Sequence, residues 1–404
     1  MVMVDPAFEI RDGLAVASGI GELDDKIWFH KTAAAVIDAG RCVGCGGCIA
    51  ACPSDSITTA SDGKPTLHKM CTGCSACWDY CPVAGFRPEK LASMINGPDV
   101  DEFGPVDGAY SARSVEDPDA VQDGGAVTAL LVALLEAGEI DGAVVTRRLD
   151  AFRGETIVAT TVEEIRSAGG SVYNQTNALS ALGGLPLPAG VERLAYVGTP
   201  CQISVLRTLQ MFPWRYRESA AGKVTLAIGL FCTRSFEPVK LMRELVERGE
   251  NIADVKKVDI REGKLFLHGA EGAREVGPVK EYRKATLGGC DECTDFGGRL
   301  ADVVVGNIGS EPGRSTVLVR TEAGRKAWAG VEGSLDSAPL EDIEPIRKME
   351  AGNRRRAIKA MQREYDANGP LWISYSEHLE NYLGSDREPV GSPAFRSHHY
   401  DVSC

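Results

Sequence analysis

Two runs of four cysteines stand in tandem near the amino terminus, Cys42, Cys45, Cys48 and Cys52, then Cys71, Cys74, Cys77 and Cys81. Each reads C-x2-C-x2-C-x3-C-P, closed by Pro53 and by Pro82. That spacing lets thiolates hold two [4Fe–4S] clusters, with the fourth cysteine of each run serving the other cluster. A stretch of this kind cannot fold as an ordinary apolar core, because its inward positions are metal ligands. It moves single electrons, and the remainder of the chain should say where they come from.

Four more of the thirteen cysteines are scattered through the second half. Cys201 and Cys232 each follow a predicted strand, in Thr199-Pro200-Cys201-Gln202 and Leu230-Phe231-Cys232-Thr233. Cys290 and Cys293 form a C-x2-C inside GGCDECTDFGG. In an open α/β sheet the carboxyl edge of the strands is where ligands bind, so these four thiols are candidates for a third metal site. Spacing alone leaves open a third cluster, a tetrahedral zinc or inert buried cysteines. Cys404 is terminal and unpaired.

The net charge of −13 argues against a nucleic-acid or anionic-membrane surface. Met1–Ile10 shows no signal peptide, and the longest apolar run, 126–135, is too short to span a bilayer. The expectation is a cytoplasmic chain that is not an integral membrane protein. Thiols stay reduced there, so clustered cysteines point to metal or redox chemistry rather than disulfides.

At 404 residues the chain is long for one core. Residues 1–33 read as an extension, 34–86 as the cluster domain and 87–108 as a Pro/Gly-containing acidic linker. From there apolar helices alternate with short apolar runs, as in an α/β sheet over 109–330. Residues 331–404 read as a charged helical tail with a poorly ordered end, where His398 and His399 lie. A linker of that composition predicts that the α/β core folds without residues 1–97.

Glycine-rich turns recur beside strand ends: Asp123-Gly124-Gly125 with Thr128 just beyond, Gly169-Gly170-Ser171, and Asn307 through Gly309, Ser310, Ser315 and Thr316. Glycine lets backbone N–H groups approach phosphate, and a helix amino terminus adds a favourable dipole. Asp123 is the expected N-cap of the helix that follows. None of the turns matches G-x-G-x-x-G, so a Rossmann dinucleotide site is not supported. Arg314, Arg283, Lys284 and Lys280 could meet an anionic substrate. No serine elbow, P-loop or zincin motif is present, and no catalytic side chain is assigned.

Together these residues resemble the beta-subunit family of coenzyme F420 hydrogenases and dehydrogenases. The matching stretches are SARSVEDPDAVQDGGAVTALLVALLEAGEIDGAVV, YVGTPCQISVLR, AIGLFCTRSF, GGCDECTDFGGRLADVVVGNIGS and RSTVLVRT. The front of the chain resembles the bacterial-type ferredoxin domain of the archaeal F420H2 dehydrogenase electron-input subunit. The resemblance implies an α/β FAD-binding core domain behind an α+β ferredoxin domain, with a helical tail. It implies noncovalent FAD on Ser111, Thr199 and the glycine-turn residues, with F420 as substrate. It further implies a third [4Fe–4S] cluster on Cys201, Cys232, Cys290 and Cys293, and a ferredoxin or a larger redox complex as partner. Hydride would pass between F420 and FAD, and single electrons between FAD and the clusters. The family also contains chlorophyll-pathway reductases with FAD and iron–sulfur clusters, so a ferredoxin-dependent reductase of another unsaturated substrate, such as a tetrapyrrole, is an alternative. A noncatalytic electron-transfer protein is a third reading.

Overall fold

The computed structural model describes residues 28–368, except 75, 85–87, 98–99, 117–121, 184–186, 212–218 and 332. Most of the expected extension, Cys404 and the expected poorly ordered end with His398 and His399 lie outside the described residues.

The cluster domain is a small α+β unit. Strand β1, Ile57–Thr59, pairs antiparallel with β2, Pro65–Leu67, and one-turn helices Gly47–Ala50 and Ala76–Asp79 sit inside the two cysteine runs. Phe29, Ile57, Cys52 and Cys77 form its buried centre, with Cys48, Ile49 and Cys71 packed against them. A unit this short buries too little apolar surface to be stable alone.

The main body is an eight-stranded sheet. Its strands are β3 (Gly108–Ser114), β4 (Gly142–Arg148), β5 (Gly154–Ala159), β6 (Leu194–Gly198), β7 (Val224–Leu230), β11 (Val303–Gly306), β12 (Ser315–Val319) and β13 (Leu335–Pro339). They lie in the order β13-β3-β12-β11-β7-β6-β4-β5. β4, β6, β7 and β11 are parallel neighbours, and β3 runs the same way because it is antiparallel to β12, which is antiparallel to β11.

Both faces of the sheet are covered, which is why its central strands read as continuous apolar runs. On one face Val303, Val305, Leu226 and Ile228 pack under helices α1 (Ala126–Glu136), α2 (Val162–Ser167) and α5 (Glu322–Ala329), through Leu130, Leu134, Ile165 and Ala327. On the other face Val304, Tyr196 and Ala227 pack with Ile203 and Leu206 of α3 (Pro200–Met211) and with the cluster domain. A separate three-stranded antiparallel sheet, β8 (Lys257–Arg261), β9 (Lys264–Gly269) and β10 (Gly272–Pro278), packs on α4 (Pro238–Glu247).

Two sequence expectations need correction. The stretch expected to be a linker holds a helix, Pro88–Asn96, whose Leu91 is fully buried in the same core as α3. The core also does not stop at residue 330. β13 joins the sheet beside β3, and Ile346, Ala357, Ala360 and Met361 of α6 (Glu344–Asn368) are buried. Composition hid both, because charge on the outer face of a helix masks a short apolar stripe.

The cluster domain is docked without slack. A Cβ on Gly289 would stand 1.9 Å from the Arg41 carbonyl oxygen, and one on Gly46, at φ +83°, 2.4 Å from that of Asn177. The Arg41 guanidinium forks onto Glu292, Nε to Oε1 at 2.8 Å and Nη2 to Oε2 at 2.9 Å. Glu292→Ala would strand that largely buried cation and is expected to cost about 3–5 kcal/mol in equilibrium denaturant unfolding. A fragment beginning at residue 98 would bare Val205, which packs on Gly47, and Gly183, which packs on Ala50. It is expected to aggregate or to melt well below the full chain. A monomeric fragment of parental thermal midpoint would instead show that the two units are independent.

Candidate redox centre

The described thiols fall into three neighbourhoods. Burial, and then Cys45, Cys42, Cys77 and Cys81, push the Cys48 thiol well above its usual range. Burial likewise raises Cys45, with Cys201, Cys81 and Cys42 adding to it. Cys77 is raised by burial and then by Cys74, Cys71 and Cys52, against a hydrogen bond from Thr32. The first neighbourhood is therefore Cys42, Cys45, Cys48 and Cys81, and the second Cys52, Cys71, Cys74 and Cys77. The last cysteine of each run has crossed to the other group, as the C-P spacing requires. The second group lines one cleft with Ser54, Ser56, Ile57 and Thr72.

The third neighbourhood joins residues far apart in sequence. Cys232 is raised by burial and then by Cys290, Cys201 and Cys293. Burial pushes Cys201 to about 12 and Cys293 to about 12, and Cys290 to about 11. Cys201 opens α3 at the carboxyl end of β6, and Cys232 follows β7. The Cys290–Cys293 turn is brought beside them by α6, whose Arg356 donates to the carbonyls of Cys290 and Thr233. Groups this reluctant to ionise become thiolates only when a cation shares their space. Among the described residues no three ligating side chains are gathered closely enough to hold a metal ion.

The three neighbourhoods form a line. Cys45 of the first feels Cys201 of the third, and Cys48 of the first feels Cys77 of the second. Residues that spacing did not reveal hold the junction. Besides Arg41 and Glu292, Asn177 takes φ +45° and its N–H donates to the Gly44 carbonyl, while its side chain donates to Thr59 and to the Gly63 carbonyl. Gln175 donates to Cys201 Sγ at 3.5 Å.

The glycine turns gather at the carboxyl edge of the same sheet, on the α1 side. Gly124 N–H donates to Ser315 Oγ at 3.1 Å, the Asn307 side chain hydrogen-bonds Asp123, and the hydroxyls of Ser310 and Thr316 are 2.7 Å apart. Gly309 stands at φ +102° and Gly170 at +93°, and Arg148, at the end of β4, donates to the Ser171 carbonyl. The N-cap of α1 is Gly125 rather than Asp123, which sits at φ +49° just ahead of it, and no side chain caps the helix. A cleft runs along the same helix, lined by Gly125, Thr128, Ala129, Val132 and Glu136 and by Gly169 and Ser334, with Glu116 and Arg166 paired at 2.7 Å on its wall. An uncapped helix start beside glycine turns fits a phosphate group.

Three candidates have side-chain partners of their own. Thr199 Oγ1 is 3.2 Å from Cys201 Sγ and belongs with the thiols. Ser111 is held by Arg314 through both its hydroxyl and its carbonyl, and Arg314 also pairs with Asp336. Arg283 pairs with Asp291. No helix among the described residues is long and apolar enough to cross a membrane.

Comparison with known proteins agrees with this layout. Family models match in three consecutive blocks: a 4Fe-4S dicluster domain over 35–86, the coenzyme F420 hydrogenase/dehydrogenase beta subunit N-term over 109–183, and its C terminus over 191–343. The coenzyme F420 hydrogenase beta subunit of Methanosarcina barkeri is 35% identical over 242 residues, 58% of this chain and 82% of that one. One subunit of the F(420)H(2) dehydrogenase of Methanosarcina mazei is 29% identical over 327 residues, 77% of this chain and 88% of that one. The coenzyme F420-dependent sulfite reductase of Methanocaldococcus jannaschii is 31% identical over 89% of this chain, which spans only 55% of that longer protein. A chain of the F420-reducing [NiFe] hydrogenase complex from Methanosarcina barkeri superposes with a TM-score of 0.60 at 31% identity, over 65% of this chain and 94% of that one. With matched blocks covering most of the sheet and the cysteines of all three groups, the chain belongs to the coenzyme F420 hydrogenase/dehydrogenase beta-subunit family, with a 4Fe–4S dicluster domain in front.

Proposed function

We propose that the chain is an iron–sulfur flavoprotein oxidoreductase that exchanges hydride between coenzyme F420 and FAD, and single electrons between FAD and three [4Fe–4S] clusters. The observation that carries this reading is the line of three thiol groups, which begins at the sheet edge holding the glycine turns and ends in the outer cleft of the cluster domain.

FAD, when bound, supplies the chemistry that links a two-electron hydride donor to one-electron carriers. The uncapped start of α1, with Gly125 and Thr128, receives its phosphates, and Gly169, Gly170, Ser171, Asn307, Gly309 and Ser315 bring backbone close to it. Cys201, Cys232, Cys290 and Cys293 hold the cluster at that edge. Gln175 and Thr199 stand at hydrogen-bonding distance from Cys201 Sγ and favour its charged form. Cys42, Cys45, Cys48 and Cys81 hold the middle cluster. Cys52, Cys71, Cys74 and Cys77 hold the outer one, next to Met70, which is 88% exposed. The outer end is where a ferredoxin or a larger redox complex exchanges electrons. Relatives that are hydrogenase and dehydrogenase subunits support such an assembly.

The purified, reconstituted protein is expected to hold about twelve iron atoms, four for each group of four thiols, and one FAD. Iron near eight (again at four per cluster) with FAD retained would remove the core cluster, and stoichiometric zinc without iron would overturn the reading. Anaerobic mixing with reduced F420 is expected to bleach the flavin absorbance, followed by reduced-cluster signals in electron paramagnetic resonance. FAD-loaded protein that does not bleach would exclude F420 as its substrate.

A further inference from the structure

The three-stranded sheet has two unlike faces. Its register pairs Lys257 with His268, Asp259 with Phe266 and Arg261 with Lys264, so these six project to one side. Val258, Leu265 and Leu267 project to the other, where they pack on Leu241 and Leu245 of α4. A small sheet gains its stability from that apolar face, and nothing in its packing requires the opposite face to be charged.

The charged face meets the sheet edge that holds the glycine turns. Gln122, next to the Asp123–Gly125 turn, donates to Asp259 Oδ1 at 2.7 Å, and the hydroxyl of Tyr173, two residues beyond Ser171, reaches the same oxygen at 3.3 Å. Asp259 is fully buried, and around its other oxygen stand Arg261 Nε at 2.7 Å, His268 Nε2 at 3.4 Å and Lys257 Nζ at 3.8 Å. Lys257 also donates to Gln122 Oε1 at 2.7 Å. One buried carboxylate thus fixes the directions of several basic side chains.

The charges do not close. Lys257, Arg261 and Arg148 share this neighbourhood with two carboxylates, Asp259 and Asp123. Burial, aided by Arg148 and Arg261 and opposed by Asp259 and Asp123, lowers the Lys257 pKa. The same effects, burial first and then Lys257, lower that of His268. The surplus is also reachable, since the Arg261 side chain is 54% exposed and that of Lys257 24%. A net positive, partly open patch beside a cofactor edge is built to receive an anion.

We propose that this face is a subsite for the anionic arm of the deazaflavin substrate, its phosphodiester and carboxylates, with Lys257 and Arg261 in contact and Asp259 as the positioning residue. The proposal rests on the F420 reading above and assigns residues to it. The FAD pyrophosphate has the same chemistry, but the glycine turns and the uncapped start of α1 already provide for it across Asp123. The Asp259 face offers oriented but partly exposed cations instead, which suits a ligand that enters and leaves.

The test uses the full FAD-loaded chain and the variants Lys257→Gln, Arg261→Gln and Arg261→Lys. Two probes are titrated at equilibrium: coenzyme F420, and the bare deazaflavin riboside that lacks the phosphate and carboxylates. Each Gln variant is expected to raise the Kd for F420 about tenfold, the loss of one charge-assisted contact, and to raise KM in step while kcat is unchanged. Riboside affinity and FAD content should stay at parental values. The thermal midpoint should fall, because each Gln variant removes a cation from the buried Asp259 carboxylate. Arg261→Lys, which keeps the charge but not the fork, should fall between in F420 affinity. Unchanged F420 affinity in both Gln variants overturns the proposal, as does equal weakening of the riboside. Loss of FAD with F420 affinity intact in the loaded fraction assigns the cations to FAD and overturns it too. A FAD-loaded parent that binds neither deazaflavin overturns the F420 reading itself, a result separable from the others because it appears without any substitution.

Discussion

Thiol burial is the constraint on which the rest of this structure depends. The cluster domain builds its cysteines into its core: Cys52 and Cys77 sit among Phe29 and Ile57 where larger proteins place leucine and valine. Burial opposes ionisation of these groups, so a metal centre is the natural source of both charge balance and cohesion, and its binding energy is folding energy. The same limit explains why the domain does not stand apart. Val36, Val43, Ala50 and Leu91 share one continuous core with Ile203, Leu206 and Val304 of the sheet and α3. A unit too small to fold alone is stabilised by leaning on a larger one.

The sheet edge serves two purposes at once. α1 packs on one face and α3 on the other, yet both begin at the carboxyl ends of the parallel strands. The glycine turns therefore gather on the α1 side and Cys201 on the α3 side of one edge. Cys232 and the Cys290–Cys293 turn complete the third thiol group from β7 and from the loop ahead of β11. Placement at the edge lets one rigid scaffold hold the glycine turns and a nest of thiols in fixed relation.

Much of this was legible in the chain. The tandem cysteine runs announced their crossed pairing through spacing alone, and apolar periodicity marked β6, β7, α1 and α3. Periodicity could not show that residues 88–96 form a helix buried through Leu91, because its other positions are polar. Nor could it place Asn177, which lies in no motif and acts through its backbone and amide at a contact across the fold. Arg41 and Glu292 read as surface charges until each is seen to be the other's partner, 251 residues apart. Asp259 was hidden similarly: a strand of alternating charge reads as solvated until a second element covers it.

The close fit of Gly289 against the Arg41 carbonyl bears on how the protein can move. Domains joined by a loose linker commonly swing, and many electron carriers shuttle a tethered group between donor and acceptor. Here any such swing would have to break the Arg41–Glu292 fork, lift Asn177 off Gly44 and Gly63, and expose the apolar seam around Val205. The dicluster unit is consequently no pendulum. Cys201 and Cys45, on either side of that seam, are held at one separation by the same contacts that lock the two units together.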